Sequence, residues 1–132
     1  MPARLDHATI TASDFAASLA FYDATLGALG LVRAAEYVDE EEDEAGIEAA
    51  GWGPPDAAPV LWLIEAENPT RGVHLSLRAD SRVDVEAFHA AALRAGGQSL
   101  NAPRRWAIFR SGEFNAVVCD PDGNRIEAVA AE

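Results

Sequence analysis

Two of the three histidines in this chain sit in strings that read alike, Leu5-Asp6-His7-Ala8-Thr9-Ile10 and Gly72-Val73-His74-Leu75-Ser76-Leu77. Both have the short apolar character of a strand, as does Arg125 to Ala130, which contains Glu127. Strand side chains alternate between faces. His7 therefore shares a face with Leu5 and Thr9, and His74 shares one with Ser76 and Arg78. Val73, Leu75 and Leu77 take the opposite face and belong under a helix. By the same alternation Ile126 and Ala128 suit the helix side, so Arg125, Glu127 and Val129 point away from it. Three strands then offer two imidazoles and one carboxylate to one surface. Two neutral nitrogens and an anionic oxygen bind a borderline divalent cation and leave coordination positions open. A substrate oxygen or water can take such a position, where the ion stabilises developing negative charge. Singly, each of these side chains is more commonly hydrogen-bonded or solvated than a ligand. Their joint placement is what carries the expectation of a metal site at His7, His74 and Glu127.

The elements that must position them follow a repeated order. After the first strand, Ser13 is expected to cap a helix in which Phe15, Leu19, Tyr22, Leu26 and Leu29 recur at helical spacing, with Gly27 and Gly30 at its exit. Strands are expected over Leu31 to Val38, Gly46 to Trp52 and Val60 to Ile64, with Pro54 and Pro55 as an interruption. The second half opens with the His74 strand. Asp80 is expected to cap a helix from about Arg82 to Ala95 that ends at Gly96-Gly97. Short strands near Gln98 to Leu100 and Trp106 to Arg110 precede one from Phe114 to Cys119. Asp120-Pro121-Asp122-Gly123 is a turn, because proline presets φ and glycine accepts the left-handed position.

The halves superpose at one offset. His7 and His74 are 67 positions apart, and so are Ser13 and Asp80, Phe21 and Phe88, Leu26 and Leu93, and Gly30 and Gly97. This is the mark of a duplicated unit. The expected fold is α+β: two βαβββ modules, about residues 3–68 and 71–131, forming a curved mixed sheet within a single domain over residues 1–132.

Composition narrows the function classes. The formal net charge of −12 disfavours nucleic acid and anionic membranes, since phosphate repels such a field. The acidic run Asp39 to Glu44 reads as a solvated loop. All ten basic residues are arginine, so chemistry that needs a lysine amine, such as Schiff-base catalysis or a Walker-type phosphate loop, is absent. Arginine instead supplies a forked donor for carboxylate, phosphate or phosphonate groups. The single cysteine, Cys119, forms no internal disulfide and reads as a small buried hydrophobe. No apolar run approaches the ~20 residues of a membrane-spanning helix, and the start lacks a secretory signal's apolar core. A cytoplasmic location is expected.

The strings LDHATI, SLAFYDATLG, GVHLSL, FHAAALRAGG and DPDGNRIEAV, in this order and covering nearly the whole chain, resemble the vicinal-oxygen-chelate superfamily of glyoxalases, bleomycin resistance proteins and dioxygenases. The resemblance implies half-barrel modules, metal ligands matching His7, His74 and Glu127, and a homodimer whose sites are often built from halves of two chains. It implies a divalent ion such as Fe, Mn, Zn, Ni or Co, and a small-molecule substrate. Glyoxalase I-type members carry a fourth ligand, a glutamate that is also the base, where this chain has Trp62. Glu65 lies near but on the opposite face of a regular strand. An indole neither ligates nor abstracts a proton, so glyoxalase I activity proper is not expected, and Trp62 becomes an apolar wall.

Ring-cleaving relatives need a further histidine and a tyrosine at the metal. The remaining histidine, His89, falls mid-helix, and Tyr22 and Tyr37 fall on no evident cavity strand. Fosfomycin-type transferases use a cationic pocket, for which Arg78, Arg104 and Arg110 are available. Ser76, Arg78, Trp62, Trp106 and Asn115 are the expected pocket residues. The leading expectation is a metal-dependent enzyme acting on a small oxygen-rich molecule. The alternative is a metal-free protein of the bleomycin-resistance type that sequesters a small ligand.

Overall fold

A computed structural model describes residues 1–38, 47–106 and 113–131. The first module contains β1 (Ala8–Ala12), α1 (Phe15–Ala28), β2 (Val32–Val38), β3 (Ile47–Gly53) and β4 (Leu61–Glu65). The second contains β5 (His74–Arg78), α2 (Arg82–Arg94), β6 (Gln98–Trp106), β7 (Glu113–Cys119) and β8 (Arg125–Ala131). They form two four-stranded mixed sheets, ordered β1-β4-β3-β2 and β5-β8-β7-β6. In each, the first strand runs parallel to the fourth while the remaining pairs are antiparallel. The α+β class and the two βαβββ modules are as the sequence indicates.

Alternation sorts each sheet into a helix side and an open side. In the first module Ile10, Ala50, Trp52, Leu61 and Leu63 are buried with Phe21, Tyr22 and Leu26 of α1. In the second, Phe114, Ala116, Val118, Ile126, Ala128 and Ala130 are buried with Val85, Phe88 and Ala92 of α2. Removal of these side chains from water is the main stabilising term of the fold.

Several boundaries differ from the sequence-based expectation. The first strand begins at Ala8 rather than Leu5, because the ladder opens where Ala8 pairs with Leu61. Leu5 and His7 precede it, and Leu5 is exposed. Asp14, not Ser13, caps α1, its carboxylate accepting the Ala17 N–H at 3.1 Å. Ser81, not Asp80, caps α2 by accepting the Asp84 N–H at 3.2 Å. An N-cap must precede the first helical residue with extended backbone, and Asp14 and Ser81 hold that place. The strand expected near Gln98 to Leu100 continues to Trp106 as β6, with register shifts between Ser99 and Asn101 and between Asn101 and Arg104. Of the strand expected over Trp106 to Arg110, only Trp106 lies within the described residues. Pro103 lacks the N–H that a regular ladder would use, consistent with irregularity there. Leu26 is fully buried, yet Leu93, 67 positions on, is 46% exposed, so that pair does not share a core role. The acidic run and Arg110 lie outside the described residues.

Polar side chains lock one module to the other. The Tyr22 hydroxyl on α1 donates to Asp120 Oδ2 at 2.6 Å, and both residues are buried. Asp120 also accepts from the N–H groups of Asp122 and Asn124 and from Asn124 Nδ2, each at 2.9 Å. Asn124, fully buried, donates to the Thr70 carbonyl at 2.8 Å and accepts the Val73 N–H at 3.1 Å. Ser13 donates its hydroxyl to Asp122 Oδ1 at 2.6 Å. The turn ahead of β8, with Gly123 at φ +88°, is thereby tied to α1 and to the connection entering β5. Burial, with Asp120 close by, pushes the Tyr22 hydroxyl far above its ordinary range.

Candidate metal centre on the open face of the second sheet

The ladder between β5 and β8 pairs His74 with Arg125 and Ser76 with Glu127. His74 and Glu127 thus stand diagonally on one face, and His74 Nε2 lies 3.0 Å from Glu127 Oε1. A carboxylate can only accept, so the imidazole hydrogen is on Nε2 in this contact. The other carboxylate oxygen, Oε2, accepts from Asn115 Nδ2 on β7 at 2.6 Å. The His74 side chain is half exposed, while that of Glu127 is only 14% exposed and is reached from the open side.

The separation of these two donors suits a divalent ion. Two ligands 2.0–2.2 Å from a divalent cation stand ~3.0 Å apart at the right angle of an octahedral site and ~3.4 Å apart at zinc's tetrahedral angle. The pair matches the former spacing once Nε2 gives up its hydrogen, since a ring nitrogen ligates only unprotonated.

His7 is not with them. It precedes β1 in the other module, its Nδ1 is 2.7 Å from Asp6, and it is exposed. Among the described residues no three His, Cys, Asp or Glu side chains form a metal-binding group within one chain. The chain therefore brings together His74 and Glu127 but not His7.

The other expected pocket residues divide between the two sheets. Ser76 is exposed beside Glu127, and Arg78 reaches Glu113 at 3.4 Å on the same face. Arg104 pairs with Asn115 in the ladder, and Trp106 pairs with Glu113. Cys119 is part-buried on the Asn115 side of β7 rather than in the core. His89 is on the helix side, 2.7 Å from Ser99, and burial lowers its pKa. It is not placed to act at the His74–Glu127 face.

Trp62 belongs to the open face of the first sheet. It lines a cavity of about 780 Å³ with Tyr37, Ile64, Glu48, Glu65 and Glu67. Two expectations change here. Tyr37 is a cavity residue, because its position on β2 pairs with Ala49, which faces the same side as Ile64. Glu65 also borders the cavity, as the exposed last residue of β4. Gly51, opposite Trp62 in the ladder, leaves room for the indole: a Cβ there would lie 3.0 Å from Trp62 Cδ2.

The duplication makes the two open faces comparable. Thr9 follows His7 by two residues and pairs with Trp62; Ser76 follows His74 by two and pairs with Glu127. Trp62 thus holds in the first module the ladder position that Glu127 holds in the second. The family model of the glyoxalase/bleomycin resistance protein/dioxygenase superfamily matches residues 4–128. The chain belongs to this superfamily.

Solved structures of the superfamily share the fold. A glyoxalase/bleomycin resistance protein from Albidiferax ferrireducens T118 is 26% identical, with a TM-score of 0.75, covering 96% of this chain and 98% of its own. A family enzyme from Burkholderia phytofirmans PsJN is 17% identical, with a TM-score of 0.65 over 98% of this chain and 100% of its own. A mutant of glyoxalase I from Zea mays is 18% identical, with a TM-score of 0.66; 96% of this chain covers 44% of that longer one. No curated protein matches the chain. The β5–β8 register places His74 and Glu127 on the sheet's open face, and the turn Asp120–Asn124, buried at its two ends, fixes where β8 begins. Tyr22, Asp120 and Asn124 are the positioning residues that sequence reading missed.

Proposed function

We propose that this chain is a divalent-metal-dependent enzyme of the superfamily, acting on a small oxygen-rich molecule as a cytoplasmic homodimer. The observation that carries the reading is the 3.0 Å approach of His74 Nε2 to Glu127 Oε1 on an open, solvent-reached face. These two residues would hold the ion, with His7 supplied by a second copy of the chain. When bound, the ion would act as a Lewis acid toward a carbonyl, enolate or phosphonate oxygen.

The chain's own groups prepare that step. Before an ion binds, Glu127 orients the His74 ring through the Nε2–H contact; on binding, that contact would give way to ligation, with Glu127 supplying negative charge for the cation. Arg78, on the same face, is a forked donor for an anionic substrate group, released from Glu113 when one binds. Trp62, standing where a fourth carboxylate would otherwise be, gives a flat apolar wall and cannot take a proton. That substitution supports chemistry other than the glyoxalase I reaction.

Elemental analysis of protein purified without chelator or affinity tag tests the reading. About one transition metal (Fe, Mn, Zn, Ni or Co) per chain, lost in His74→Ala and in Glu127→Gln, is expected. Sedimentation should show a dimer, and His7→Ala should also lose metal. A metal-free protein that takes up none of these ions would refute it. The cavity around Trp62 and Tyr37, with its three glutamates, supports one second reading: metal-free sequestration of a small ligand. Tight ligand binding that quenches tryptophan fluorescence in metal-free protein, and that Trp62→Ala removes, would favour it.

A further inference from the structure

Asn115 stands on β7 between Arg104 and Val129 in the ladder, on the open face of the second sheet. Its neighbours Val117 and Val129 are buried. Its amide does two things. Nδ2 donates to Glu127 Oε2 at 2.6 Å, while Oδ1 is buried and has no hydrogen-bond partner among the described residues. A buried acceptor left unmade costs stability, and an apolar side chain of similar volume would avoid that cost. The residue is therefore a poor choice for folding and needs another reason.

The geometry points to Asn115 as the positioning residue of the His74–Glu127 pair. A glutamate has three rotatable bonds, and both of its carboxylate oxygens accept hydrogen bonds. With Oε2 held by the amide, Oε1 is the oxygen turned toward His74 Nε2, and the carboxylate offers a cation one oxygen rather than two. Asn115 acts on the ion through Glu127, as an outer partner that orders a ligand. Its unpartnered Oδ1 is what remains when the amide is turned to give its N–H to Glu127. This inference rests on the metal-binding reading of His74 and Glu127.

Two variants of the full chain, Asn115→Leu and Asn115→Ala, test it; the alanine variant guards against overpacking by the bulkier leucine. Three quantities are compared with the unaltered protein: the melting temperature of the metal-free form, the dissociation constant for cobalt(II) chloride, and the His74 tautomer. The tautomer is read by ¹⁵N NMR at one pH above the ordinary histidine range. The unaltered metal-free protein should show His74 as the Nε2–H tautomer. In both variants the tautomers should mix and cobalt should bind 10–100-fold more weakly, beyond the fall in melting temperature that loss of the Nδ2 bond to a carboxylate brings. A lowered melting temperature and weaker cobalt binding with the Nε2–H tautomer kept would mark a merely structural asparagine, and that result would overturn the inference. So would an unchanged tautomer and affinity, even with cobalt binding still abolished by Glu127→Gln; the metal reading would then survive alone. If the unaltered protein binds no cobalt, the metal reading fails, and the tautomer comparison still decides whether Asn115 positions the pair.

Discussion

Tyr22→Phe isolates the contact that joins the two modules. The phenyl ring keeps the edge-on packing against Phe21, with centroids 5.0 Å apart, and the contact with Trp52 at 5.9 Å. Only the hydroxyl is lost, together with its 2.6 Å bond to Asp120. Asp120 Oδ2 keeps Asn124 Nδ2 as a donor, so the carboxylate is weakened but not stranded. Hydrogen bonds to charged groups contribute about 1.5–3 kcal/mol, which for a chain of this size is a fall of about 5–15 °C in melting temperature.

The pH dependence carries the sharper test. Burial and then Asp120 raise the folded-state pKa of Tyr22 above its unfolded value, which is ~10. Above pH ~10 the unfolded chain releases this proton and the folded chain keeps it, so stability falls as pH rises. The contribution is fully present below that pH and declines by about 1.4 kcal/mol for each further unit. Urea unfolding of both proteins from neutral pH to about one unit above the tyrosine range should therefore give curves that converge. Parallel curves, or equal stability at neutral pH, would refute the account of the junction.

Gly97 and Gly96 should respond differently to alanine. A Cβ on Gly97 would lie 2.6 Å from Phe21 Cε2 and 3.0 Å from the Ala92 carbonyl, so overpacking should cost about 1–3 kcal/mol by chemical denaturation. Gly96 has open space but φ +86°, so its alanine variant should lose ~1 kcal/mol from backbone strain alone. For Trp62→Glu, a carboxylate at the ladder position matching Glu127 should tighten cobalt binding at least ~10-fold by calorimetry, as an added anionic ligand does. No change would mean that this side chain does not reach the ion.

The fold was legible because its signals are periodic. Alternation in β5 and β8 put His74 and Glu127 on one face, and they do meet. The 67-residue offset survived even where the caps were misread, since Asp14 and Ser81 are themselves 67 apart. Alternation says which way a side chain points, not how far apart two sheets stand, so His7 could not be placed relative to the pair. Tyr22 sits in the helical period of α1, but its link to Asp120 and Asn124 leaves no period at all. Asp120 reads as an ordinary turn residue and Asn124 as a link to the last strand, and their value comes from burial and from partners about 50 or 100 positions away. Asn115 was read as a pocket wall because sequence cannot show that one end of its amide is engaged and the other is not.

The duplication has not kept its halves alike. The β7–β8 turn is anchored to α1 through buried Asp120, whereas the corresponding β3–β4 connection, Pro54 to Val60, is largely exposed. At the position matching Tyr22, α2 carries His89, which meets Ser99 within its own module at 2.7 Å. The second sheet is thus tied to the helix of the other module, whereas the first sheet is tied to its own helix, Asp23 of α1 accepting from Trp52 Nε1 at 3.0 Å. Substitutions around Trp62 and Tyr37 would leave the Asp120 anchor ahead of Glu127 untouched, so the two open faces can change independently of one another.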